Sequence, residues 1–84
     1  MTTDLDTRLA AVVAAVLDLD PADVGALTST DTVEGWDSLA HMNLILAIEE
    51  ELGVTLPDEE AADLTSYPLL RLVVAEQLGL VEAA

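Results

Sequence analysis

Apolar residues recur at helical spacing in several stretches of the chain, separated by stretches with no period. Over residues 4–17, Leu5, Leu9, Val12, Val13 and Val16 fall at i, i+4, i+7, i+8 and i+11, the stripe of an amphipathic helix. Thr3 is placed to cap it, and Asp4 and Asp6 lie in its first turn, where the helix dipole favours acids. The helix should end near Asp18, ahead of Pro21. Between 18 and 37 the period is lost. Pro21, Gly25, Gly35 and a Ser/Thr/Asp cluster predict a long loop with a helical turn at Pro21–Val24. A connection this long is often functional in a compact domain. Leu19, Val24, Leu27, Val33 and Trp36 are predicted to pin it to the core.

The period returns from Ser38 to Leu52, with Gly53 as the C-terminal stop. Thr55 and Asp58 then resemble a capping box, and Pro57 suits a first helical position, so a short helix is expected over about 58–63. Ser66 is placed to cap a last helix over about 67–79, with Pro68 in its first turn and Gly79 near its end. Leu70, Val74 and Leu78 form its stripe, widened by Leu69, Leu72 and Val73. The expected fold is therefore all-α. It is a small four-helix bundle in a single domain over 1–84, with a long loop between helices one and two and a short third helix.

Helix two carries more apolar surface than one core can take. At about 100° per residue, Leu44, Ile45, Ile48 and Leu52 share one side, while Leu39, Met42 and Leu46 lie on the other, beside Ser38. The second strip is expected to stay partly exposed, as contact surfaces do. Glu49, Glu50 and Glu51 crowd the C-terminal turn, the negative end of the dipole, with no cation nearby in sequence. Glu49 and Glu50 flank the exposed strip. Asp58, Glu59 and Glu60 open helix three, where acids are stabilising. His41 falls towards the core edge and reads as a packing or hydrogen-bonding residue rather than a catalyst.

Composition narrows the function. Of 84 residues, 52% are hydrophobic, mostly Ala, Leu and Val, which suits helix packing. Seventeen acids face two bases, Arg8 and Arg71, giving a formal charge of −15. That excludes ordinary nucleic-acid binding and argues against an anionic membrane surface, while favouring basic protein partners. Self-repulsion should make the fold sensitive to salt. With no cysteine, there is no disulfide, zinc-thiolate site or thiol nucleophile, and one histidine makes no metal cluster. No apolar run approaches the ~20 residues of a membrane span. The acidic start does not look like a signal peptide. A cytoplasmic monomer is expected.

Ser38, between Asp37 and Leu39, has no local His or Lys to activate it, so catalysis by this chain is not expected. A serine can still be acted upon, and the positive end of helix two favours a phosphate on its hydroxyl. Asp37 stands where it could stabilise the helix dipole or help a visiting enzyme.

The Asp-Ser-Leu triplet follows the long loop and precedes Leu44-x-x-x-Ile48-Glu49-Glu50-Glu51-Leu52-Gly53-Val54 and the "LPDEEA" of residues 56–61. In this combination the chain resembles the acyl carrier protein family over nearly its whole length. The resemblance implies that Ser38, with Asp37 and Leu39 beside it, bears 4′-phosphopantetheine through a phosphodiester, and that the arm's thiol holds acyl groups as thioesters. It implies as partners a phosphopantetheinyl transferase using coenzyme A, and acyl-loading and acyl-using enzymes with basic docking patches. Met42 and Leu46 match the family's apolar contact positions, and Glu49 and Glu50 its acidic ones. Ala40 and Asn43 stand where acids are frequent, and Trp36 and Arg71 also depart from the fatty-acid-synthesis pattern. These departures point to a discrete, free-standing carrier of a dedicated pathway, polyketide-like rather than housekeeping. Two other readings stand beside it: a carrier of aminoacyl or peptidyl groups, and an acidic helical interaction module in which Ser38 is only a cap.

Overall fold

The computed structural model describes the backbone of residues 2–79 and the side chains of residues 5–79. Within them the chain forms α1 (Thr2–Leu17), a 3-10 turn at Pro21–Asp23, α2 (Ser38–Leu52), α3 (Asp58–Ala61) and α4 (Tyr67–Gln77). The fold is all-helical: among the described residues the only extended pairing is a single antiparallel bridge between Ser29 and Ser66. α1 packs mainly along α2 and more lightly on α4. Leu9 and Val13 from α1, Leu44 and Ile48 from α2, and Leu70 and Val74 from α4 are fully buried where the three helices meet. Each such leucine or isoleucine contributes about 1.5–3 kcal/mol by leaving water.

Local chemistry sets most of the boundaries. α1 starts at Thr2, so Thr3 lies inside the helix and does not cap it. At its other end Asp18 adopts φ 58°, and the Leu19 amide bonds the Ala14 carbonyl at 2.9 Å, closing the helix with a left-handed residue. Asp20 caps the 3-10 turn by accepting from the Ala22 amide at 2.9 Å. α2 ends at Gly53, whose φ of 66° is a left-handed conformation that glycine adopts without strain. α4 starts as expected from Ser66, whose side chain accepts from the Leu69 amide.

The segment between α2 and α4 departs from expectation. The Thr55–Asp58 capping box does not form; Pro57 sits before α3 rather than in it, and α3 stops at Ala61. Leu56 is instead buried ahead of the helix, with its amide held by Glu49 Oε2 at 2.9 Å. The Thr55 amide donates to Gln77 Oε1 at 3.0 Å, and Gln77 Nε2 donates back to the Thr55 carbonyl. This exchange ties the end of α4 to the segment that follows α2.

In the long loop, Leu19, Val24 and Val33 pack against the core and Trp36 is buried, but Leu27 does not join them: it is 83% exposed. Thr28 goes inward instead. Its hydroxyl accepts from the Gly25 amide at 2.9 Å and donates to the Asp23 carbonyl at 3.2 Å, which makes a buried threonine tolerable. Leu27 is left on the corner, its carbonyl held by the Thr32 hydroxyl at 2.6 Å. The loop is stitched to the start of α4 by Thr30 N to Thr65 O at 3.0 Å and Tyr67 N to Thr28 O at 2.8 Å.

α4 is narrower on its buried side than its apolar content predicts. Leu70, Val74 and Ala75 are buried, Val73 is half-buried, and Leu69, Leu72 and Leu78 are exposed, so Leu78 does not complete the stripe. A polar link replaces it on the α1 side: Arg71 Nε meets Asp6 Oδ1 at 2.5 Å, and the Tyr67 hydroxyl donates to the same oxygen at 3.4 Å. Burial, and then the charge and hydrogen bond of Asp6, push the Tyr67 phenol from 10.0 up to about 12. The hydrogen bond to Asp6 raises Arg71 above its ordinary value.

Candidate functional site

The long loop delivers the chain to α2 through a short hydrogen-bonded run. The Trp36 amide donates to the Val33 carbonyl at 3.0 Å, turning the chain so that the indole enters the core, where it is 4% exposed. The next residue, Asp37, is extended and caps α2: its Oδ1 accepts from the Ala40 amide at 2.9 Å, and its carbonyl accepts from the His41 amide at 2.8 Å. Ser38 is therefore the first helical residue and not the cap.

Ser38 is exposed, and no hydrogen bond to its hydroxyl is found among the described residues. The amides of Ser38 and Leu39 lie in the first turn of a fifteen-residue helix and have no intrahelical acceptors. This position suits a phosphate ester: the oxygen is reachable, and the positive end of the helix stabilises an anion on it. The carboxylate beside it, Asp37, is the only nearby charge in the triplet, and one of its oxygens is already spent on Ala40.

Beside Ser38, the two faces of α2 separate as the pattern predicts. Leu44, Ile45, Ile48 and Leu52 are buried. Leu39, Met42 and Leu46 are 68%, 63% and 57% exposed. Glu50 is exposed at the border of this strip, whereas Glu49 is half-buried with one carboxylate oxygen held by the Leu56 amide. The expectation that no cation relieves the glutamate run is also corrected. The Arg8 guanidinium, from α1, donates to the Glu51 carbonyl at 2.8 Å, at the negative end of α2. Arg71 is engaged by Asp6. Neither arginine lines the groove described next.

Between α2 and α3 runs a groove of about 450 Å³ whose walls include Met42, Ile45, Leu46, Leu56, Ala61 and Ala62, with Glu49 and Asp58 as its acids. His41 lies in its lining. The indole Nε1 of Trp36 donates to His41 Nδ1 at 3.0 Å, and His41 Nε2 bonds the Ala61 carbonyl at 2.8 Å. The two rings stack with centroids 6.1 Å apart and planes 25° from parallel. An indole can only donate, so Nδ1 is the acceptor and the proton sits on Nε2. Both nitrogens are engaged, so the ring is fixed between Trp36 and Ala61. Sequence reasoning missed this pair. The signal was present as the chain's single indole donor five residues ahead of its single histidine, but the contact spans a helix cap and has no helical spacing.

The model of the family described as "Phosphopantetheine attachment site" matches residues 7–70. The chain is 41% identical over 58 residues to an acyl carrier protein of Treponema pallidum (strain Nichols), covering 69% of this chain and 74% of that protein. It is 44% identical over 57 residues to an acyl carrier protein of Thermosynechococcus vestitus, covering 68% of this chain and 70% of that one.

Proposed function

Since this chain belongs to the acyl carrier protein family, whose members are carriers rather than catalysts and bear 4′-phosphopantetheine covalently, we propose that Ser38 is its attachment residue. The observation that carries this reading is the exposed, unengaged hydroxyl at the first position of α2, with an anion-favouring helix end behind it. A phosphopantetheinyl transferase takes the Ser38 proton. Ser38 Oγ then bonds the pantetheine-bearing phosphorus of coenzyme A as the bond to 3′,5′-ADP breaks. Asp37 holds the first turn rigid while this happens, through its bond to Ala40. Once attached, the arm supplies a thiol that carries cargo as a thioester.

The strip of Leu39, Met42 and Leu46, with Glu50 free beside it, is the docking face for partner enzymes. Apolar side chains exposed next to uncompensated acids fit a basic partner with a shallow apolar recess. Glu49 belongs to this border, though its engagement with Leu56 leaves it less to offer. The apolar side chains that make up most of the groove between α2 and α3 support an acyl cargo. Within acyl pathways, Ala40 and Asn43 in place of acids support a dedicated pathway of polyketide type. The interaction-module alternative loses its explanation of Ser38, since Asp37 does the capping.

Incubation with a transferase and coenzyme A should raise the intact mass by one phosphopantetheine, and Ser38→Ala should abolish the gain. An unchanged mass for the parent chain, or a gain that persists in the variant, removes this reading.

A further inference from the structure

The ring of His41 joins Trp36, in the turn that presents Ser38, to the carbonyl of Ala61 at the end of α3, twenty residues beyond His41 in the chain. We propose that His41 is a positioning residue that couples the wall of the groove to the presentation of Ser38. Its consequence at Ser38 rests on the carrier reading above.

Two features make α3 the part that yields. It is four residues long, and it follows Pro57 without a side-chain cap. Side chains of α2 reach it from two directions: Glu49 Oε2 holds the Leu56 amide just ahead of it, and His41 Nε2 holds its last carbonyl. A helix of one turn has little stability of its own, so these ties matter to its position. A group entering the groove between Met42, Leu46 and Ala62 presses α3 outward and loads the His41–Ala61 bond. The other nitrogen of the same rigid ring is the acceptor for Trp36, the residue before Asp37 and Ser38. A tilt of the ring is therefore felt by the indole and by the turn that aims the serine. Coupling of this kind is reciprocal, so fixing the turn also steadies α3.

Two isosteres separate the halves of the link. In His41→Asn the amide oxygen stands near the position of Nδ1, keeping an acceptor for Trp36 and losing Ala61. In His41→Gln the amide nitrogen reaches the position of Nε2, keeping Ala61 and losing Trp36. Amide and indole hydrogen exchange is read by NMR on the full chain. In His41→Asn, exchange at Ala61, Ala62 and Leu64 should quicken about three- to tenfold, the range expected for one lost hydrogen bond, with the indole protected. In His41→Gln the indole should quicken by a similar factor, and transferase-catalysed modification should slow more than in His41→Asn. A structural role alone would shift both readouts together in both variants, and that result overturns the coupling. Loading with a hexanoyl arm from hexanoyl-coenzyme A should move the Trp36 indole resonance in the parent chain and move it less in His41→Asn. An indole blind to loading in the parent also overturns it. Should either variant fail to fold, the ¹⁵N shifts of His41 in the parent decide: Nδ1 bare and Nε2 protonated supports the link, and the opposite tautomer refutes it. If the parent takes up no phosphopantetheine, the carrier reading fails and the exchange pattern alone judges the coupling.

Discussion

Two helices of this protein carry a serine at their start, one residue apart in register, and the two serines have opposite fates. α2 begins Asp37-Ser38 and α4 begins Ser66-Tyr67. In both, the first residue of the pair is the cap and the second is the first helical residue. At α4 everything turns inward: Ser66 accepts from Leu69, Tyr67 is buried, and its hydroxyl donates to Asp6. At α2 the cap is engaged, but Ser38 faces solvent with its oxygen unspent among the described residues. A hydroxyl that the fold uses is a stability element, and one that the fold leaves out is available to chemistry.

The largest expected effect comes from exchanging the two serines for alanine. Ser38→Ala should lose all uptake of phosphopantetheine while its melting temperature stays close to that of the parent. Ser66→Ala should be modified at the parent's rate. Similar behaviour of the two variants in the mass assay would erase the contrast.

Alkaline pH should come next. Above pH 10 the unfolded chain ionises Tyr67, but the folded chain keeps the phenol neutral until about 12. Stability is therefore whole below pH 10 and declines as the pH rises to about 12, by an amount on the order of 2 kcal/mol. Tyr67→Phe should remove that part of the decline, as followed by urea denaturation across the range.

The caps should have smaller effects. Ser66→Ala and Asp37→Ala should each lower stability by about 1 kcal/mol, because each strands a first-turn amide. Only Asp37→Ala should also slow modification, since only its helix carries Ser38. The smallest effect is expected for Arg71→Gln. Its pair with Asp6 is partly exposed, so stability should fall by no more than about 1 kcal/mol, and the loss should shrink in high salt.

Much of this contrast was legible in the chain. The bounds of α2, its buried quartet and its exposed strip all follow from one period and one glycine, because side-chain direction in a helix is set by spacing alone. Ser66 as a cap followed from its place before Pro68. Ser38 and Asp37 were harder, since either residue type caps a helix well and one residue of register decides which does. Leu27 was misjudged because hydrophobicity cannot say which of two neighbours a turn points inward; the hydroxyl of Thr28 had two partners there. The Thr55–Asp58 pattern was present, but Gln77 claimed the Thr55 amide from another helix.

The sequence by itself determined the helical class, the two-faced character of α2 and the serine set at its head, because these depend on neighbours within a few positions along the chain. Only the tertiary structure decided what Glu49, Arg8, His41 and Trp36 touch. Their partners lie on other elements, and a hydrogen bond between distant residues exists only after the apolar core has brought those elements together.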